Sequence, residues 1–138
     1  MKKDENCIFC KIIDGKIPCA KVYEDERTLA FLDISPVNLG HTLIVPKNHS
    51  RNLMEDSEED FASLIKSVKK IGKAVMTAMK AEGFNLESNI EKAAGQVVFH
   101  THFHIIPRFS SDGLKHWPQG KYEEGQIETV RKKIVNNL

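Results

Sequence analysis

The 138-residue chain has few cysteines, no excess charge of one sign and no long apolar run. Its three cysteines, Cys7, Cys10 and Cys19, are an odd set, which argues against a secreted disulfide framework. Twenty basic and nineteen acidic residues leave a formal charge of +1, so no nucleic-acid partner or polybasic membrane anchor is expected. No apolar stretch reaches membrane-spanning length, and the charged start Met1–Asn6 leads into no signal-peptide core. These absences point to a cytoplasmic protein without a membrane partner. There is no Walker or G-x-G-x-x-G loop to hold a phosphate, no internal repeat and no low-complexity segment.

What is present is a length suited to one domain spanning residues 1–138 and a 41% hydrophobic content suited to one sizeable core. Residues 1–6 are charged and expected to be flexible. A short helical segment around Ile8–Ile13 is limited by Gly15 and Pro18. Strands follow at 21–24, 28–33 and 41–46; the last is apolar throughout and so expected to be buried on both faces. Ser57 is a helix N-cap with acids behind it, and Phe61, Leu64, Ile65, Val68, Ile71, Val75 and Met79 keep helical spacing. Gly83 is expected to stop that helix. A weak strand over 84–89, a turn over 90–96 and a strand over 97–106 follow. Residues 109–138 form a tail with a final helix over about 122–135. The order predicts an α+β fold: a mainly antiparallel five-stranded sheet, one long helix across a face and short terminal helices.

The strand-like decapeptide Phe99 to Arg108 carries His100, His102 and His104 at alternate positions. Alternation puts all three on one strand face, with Phe99, Thr101, Phe103 and Ile105 on the other. Pro107 lacks an amide hydrogen and is expected to end the strand. Three readings are open: incidental surface histidines, a metal site, or catalysis. His100 and His104 lie about 13 Å apart along a strand. Metal–nitrogen bonds are about 2.0–2.1 Å, which disfavours one ion on all three. Neutral imidazoles side by side can instead supply a nucleophile, a donor to a phosphate oxygen and an orienting partner, which suits phosphoryl transfer. Cys7-x-x-Cys10 is separately a candidate metal or redox pair, or simply two small apolar fillers.

The run His100-Thr101-His102-Phe103-His104-Ile105-Ile106-Pro107-Arg108 resembles the histidine triad (HIT) signature, H-φ-H-φ-H-φ-φ. Cys7–Ile13, Ile17-Pro18, Phe31–Pro36, Gly40–Lys47, Asn89 and Ala94-Gly95-Gln96 agree with it in order and spacing. The resemblance covers roughly residues 7–109 and is nearest to the small microbial, Hint-like members. It implies a HIT-like fold whose sheet continues across a homodimer. It also implies hydrolysis or transfer at the α-phosphate of a purine nucleotide, through a nucleotidyl-histidine, with no metal required for the chemistry. The substrate class is a nucleoside 5′-phosphoramidate or a related P–N or P–O bond. Alternatives are a dinucleoside polyphosphate hydrolase and a nucleotide-binding interaction module with little catalysis.

Carried onto this chain, His102 is the nucleophile, His104 the donor to phosphate, and His41 and His100 the polar support. Asp33 would hold the ribose; Phe9, Ile12, Phe31 and Ile34 would wall the base. Asn89, the Gly95–Gln96 backbone and position 97 would approach the phosphate. Many Hint relatives carry Ser where this chain has Val97, and the turn after Asn89 and the tail after Arg108 also depart from the pattern. His116-Trp117-Pro118 is similar to a C-terminal motif whose Trp reaches the partner subunit's site. Some microbial relatives hold a structural zinc on positions matching Cys7, Cys10, His49 and His100. Cys19 is a bystander in this reading.

Overall fold

The computed structural model describes residues 1–138. Its elements are α1 (Ile8–Ile13), β1 (Lys21–Glu24), β2 (Thr28–Leu32), β3 (Thr42–Pro46), α2 (Glu58–Met79), β4 (Gly83–Glu87), β5 (Phe103–Arg108) and α3 (Gln126–Val135). The five strands form one sheet in the order β1-β2-β3-β5-β4, and every neighbouring pair is antiparallel. This is the expected α+β architecture. Asp25 closes the first hairpin by accepting the amide hydrogens of Arg27 and Thr28 at 2.9 and 2.7 Å.

The sheet separates two cores. On one face Leu64, Val68, Ile71 and Val75 of α2 pack on Ala30, Ile44, Phe103 and Ile105. On the other, Cys7, Phe9 and Cys10 around α1 pack on Leu29, Phe31, Leu43 and Val45. Strand side chains alternate between faces, so β2 and β3 feed both cores at once. That is why the apolar run of β3 is continuous and its five residues are all buried.

Ser57 caps α2 by accepting the Asp60 amide hydrogen at 3.1 Å, with Glu58, Glu59 and Asp60 in the first turn. The helix ends earlier than expected: Lys80 takes a left-handed conformation at φ 53°, and Gly83 instead opens β4. Gly72, mid-helix, is needed for close approach, because a Cβ there would lie 2.7 Å from the Phe84 ring. The final helix is shorter than expected and buries no residue. No helix is long and apolar enough to cross a membrane.

The histidine strand is shorter than the sequence implies. Only His104 lies in β5; His100 and His102 precede it. The alternation is genuine, but residues 97–102 are bound to a loop rather than to a strand. The Thr101 amide donates to the Ser50 carbonyl at 3.0 Å, its hydroxyl reaches Ser50 and the Asp56 carboxylate, and Ser88 donates to the His102 carbonyl at 2.9 Å. Pro107 continues the strand, opposite Phe84 of β4. Its missing amide hydrogen does no harm there, since pairing with β3 extends only to Ile105.

The N-terminal residues, read from the sequence as flexible, are held at several points. His49 donates its amide hydrogen to the Lys2 carbonyl at 2.9 Å, Lys2 donates to the Asn48 side chain at 3.0 Å, and the Cys7 amide donates to the Asp4 carbonyl at 3.1 Å.

Candidate functional site

A cavity of about 490 Å³ opens beside the α1 face of the sheet. Phe9 and Ile12 line it from α1, Phe31 from β2, Asp33 and Ile34 from the loop beyond, Gly95 and Val97 from the loop before β5, and His102 and His104 from the histidine segment. Nine of the sequence-assigned binding residues therefore share one surface. Asn89 and Gln96 do not line it. A Cβ at Gly95 would sit 3.6 Å from the Asn89 side-chain amide nitrogen. Gln96 is buried and turned inward, accepting the Glu91 amide hydrogen at 2.8 Å and donating to the carbonyls of Arg51 and Val98. Gln96 thereby fixes the loop that holds Val97, which is 86% exposed at the cavity mouth. Sequence reasoning missed Ile8, Ile17, Pro18, Cys19, Leu32, Ser35, Leu43 and Val98 as lining residues. Leu43 pairs with Phe31 across the sheet, Ile8 opens α1 and Leu32 ends β2; the others lie in turns or loops with no periodicity.

Hydrogen bonds assign a proton position to each ring at the cavity. Val37 donates its amide hydrogen to His41 Nδ1 at 3.2 Å, so the His41 proton sits on Nε2. That Nε2 lies 2.9 Å from His104 Nδ1 and donates to it. His104 then carries its own proton on Nε2 and can donate it into the cavity. His102 Nδ1 donates to the His100 carbonyl at 2.6 Å, which leaves the Nε2 lone pair of His102 free. Burial lowers the pKa of His41 and His102, and it carries His104 down to about 4. All three rings are neutral near pH 7, as this chain of donors requires. The arrangement offers a nucleophilic nitrogen and a hydrogen-bond donor side by side, their ring centroids 5.0 Å apart. An Asp33 oxygen lies 3.8 Å from His41 Nε2, and the other accepts the Ser35 amide hydrogen at 2.8 Å.

Behind this row, Cys7, Cys10, His49 and His100 bring one potential ligand atom each within 4.8 Å of all the others. His49 Nδ1 and His100 Nδ1 stand 3.2 Å apart. Cys7 Sγ is 3.4 Å from His100 Nδ1, and Cys10 Sγ is 3.4 and 3.7 Å from the two Nδ1 atoms of His49 and His100. A tetrahedral zinc with ordinary bond lengths separates its nitrogens by about 3.3 Å and nitrogen from sulfur by about 3.6 Å. The His100 Nε2 proton is committed to the Pro46 carbonyl at 2.8 Å, and His49 Nε2 faces the Asp4 carboxylate at 3.9 Å. With Nε2 of His100 protonated, its Nδ1 lone pair points into the cluster, where a cation can take it up. The donor set fits tetrahedral zinc.

The family model for the HIT domain matches residues 14–111. The adenosine 5′-monophosphoramidase hnt1 of Schizosaccharomyces pombe is 39% identical over 135 residues, covering 96% of this chain and 98% of that one. The crystal structure of SMU.412c from Streptococcus mutans UA159 superposes with a TM-score of 0.92 at 43% identity, covering 98% of this chain and 87% of the other. A zinc-bound histidine triad family protein from Mycobacterium smegmatis superposes with a TM-score of 0.76 at 34% identity, covering 96% and 98%.

Proposed function

The chain belongs to the HIT family, and from that premise we propose that it cleaves purine nucleoside 5′-phosphoramidates, or a related P–N or P–O bond at the α-phosphate, through a nucleotidyl-His102 intermediate. The observation that carries this reading is the assigned proton chain, which frees His102 Nε2 and points the His104 proton at the cavity. The apolar walls Phe9, Ile12, Phe31 and Ile34 suit a base, and Asp33 suits the ribose hydroxyls. His102 Nε2 attacks the α-phosphorus. The P–N bond breaks, its electron pair leaves with the amine, and the amine takes up a proton from solvent, which the attacking water of the second half returns. The His104 Nε2 proton binds a non-bridging oxygen as charge develops there. Water then attacks the same phosphorus, releases the nucleoside monophosphate and regenerates His102.

Cys7, Cys10, His49 and His100 would hold a structural zinc. Bound there, zinc tethers the N-terminal segment and takes no part in the bond changes. Three unpaired cysteines fit a reducing, cytoplasmic setting. We also propose a homodimer joined along β4, the unpaired edge of the sheet beside β5, with α3 covering its exposed Ile127 and Ile134 against the partner copy.

Val97 favours a second reading, a nucleotide-binding module with slow turnover, because it brings methyl groups rather than a hydrogen-bonding group to the cavity mouth. A substrate panel of an adenosine phosphoramidate, adenylylsulfate and a diadenosine polyphosphate separates the readings. Turnover led by the phosphoramidate supports the first. AMP binding with no turnover of any member supports the second, and preference for the diadenosine compound replaces both with a polyphosphate hydrolase.

A further inference from the structure

We infer that metal and nucleotide bind this chain cooperatively, because α1 presents metal ligands on one side and the wall of the nucleotide cavity on the other. The inference rests on the metal and nucleotide readings above. Cys7 is the N-cap residue of α1 and Cys10 lies within it, and both enter the four-ligand cluster. Ile8, Phe9 and Ile12, from the same six-residue helix, line the cavity. So short a helix does not persist by its own propensity, and its N-cap makes no side-chain hydrogen bond. Its seat is set by what it packs against. Phe9 packs steeply inclined against a ring of each site at once, with ring centroids 5.9 Å from His100 and 5.3 Å from His102.

A second route runs through the backbone. His100 offers Nδ1 to the metal cluster while its carbonyl receives the His102 Nδ1 proton at 2.6 Å. The segment before α1 closes over the cluster as well, with the Asp4 amide donating to Cys10 Sγ at 3.4 Å. A metal that ties Cys7 and Cys10 to His49 and His100 therefore seats the wall that a base must contact. A base that fills the cavity holds α1 where its cysteines meet the histidines. Ordering the helix is a common cost, and whichever ligand binds first lowers it for the second. Linkage makes the effect reciprocal and equal in both directions.

The test uses the full chain, loaded with zinc or stripped by a chelator, and reads binding rather than turnover. AMP affinity is measured by calorimetry in both forms, and zinc affinity by competition with a chromophoric chelator with and without saturating AMP. Removing zinc weakens AMP binding on the order of tenfold, and AMP tightens zinc by the same factor. Equal AMP affinity in the two forms overturns the coupling while leaving both sites standing. A chain that takes up no zinc overturns the metal reading, one that binds no AMP overturns the nucleotide reading, and either removes the coupling too. Circular dichroism guards against a trivial cause: if the sheet melts when zinc is stripped, global unfolding replaces the α1 mechanism and overturns it. Phe9→Leu weakens AMP binding in both forms, as a change in the cavity wall should, and brings the ratio of AMP affinities between the zinc-loaded and stripped forms below about threefold. An unchanged ratio in that variant overturns the role of Phe9.

Discussion

The two histidine clusters both draw on the segment 100–104, yet they point in opposite chemical directions. In the cavity row the hydrogen bonds run one way: the Val37 amide donates to His41, His41 donates to His104, and His104 points its proton outward. The row is open, and one donor and one lone pair are left over for a substrate. In the rear cluster, His100 Nε2 is tied to Pro46, His49 Nε2 faces Asp4, and the remaining nitrogens converge with two sulfurs. That cluster is closed around a point where a cation belongs. The difference lies less in residue type than in what each ring's other nitrogen contacts, since that contact fixes the tautomer.

The comparison breaks most visibly at His102. His102→Ala is expected to lower phosphoramidate turnover by roughly 10⁴-fold or more, while metal analysis still finds one zinc per chain. Loss of the zinc as well would mean that the clusters are not separable. His41→Phe removes the ring that sets the His104 tautomer. Its kcat is expected to fall roughly 10²-fold with little change in AMP affinity, so a large change in affinity would move His41 from the proton chain to the binding wall.

Cys10→Ser attacks the closed cluster instead. Zinc content is expected to fall, and the melting temperature with it, by at least about 4 °C. An unchanged melting temperature would make the cluster a set of packing side chains.

Acid should act on both clusters. His100 and His104 are held at about 4 against an ordinary 6.5 by burial, and His41 and His102 are also lowered. The unfolded chain takes up these protons first, so stability is intact above about pH 6.5 and is lost as the pH falls from there towards 4. Urea midpoints of the metal-stripped chain at pH 7.5 and pH 5 should show the loss; equal midpoints would contradict the buried, neutral rings. The smallest effect is expected at Val97, where Val97→Ser should change kcat by less than about tenfold, the worth of one ordinary hydrogen bond.

The sheet, the long helix and the membership of both clusters were legible in the sequence for physical reasons. Strand alternation, the Ser57 cap and the stripe from Leu64 to Val75 are local patterns that the core enforces. The clusters were legible because the triad and Cys7-x-x-Cys10 resemble a known family, whereas spacing alone left catalysis and metal binding open. What the sequence hid was tertiary. Residues 97–102 alternate like a strand, but Thr101 among them is held by Ser50 and Asp56, which lie far away in the chain. The Gln96 side chain is the buried anchor of its loop, a role that no local pattern announces. Lys80 ends α2 in a conformation that a non-glycine residue rarely adopts, so the glycine three residues on was a misleading stop signal.

The central claim is that His102 Nε2 is the nucleophile, and the most direct measurement is mass spectrometry of enzyme quenched during turnover of an adenosine phosphoramidate. The account predicts an acid-labile adenylyl group on His102 that forms and decays within the catalytic cycle and is absent from His102→Ala. Undiminished turnover with no adduct on His102, or with the adduct on another residue, would contradict it.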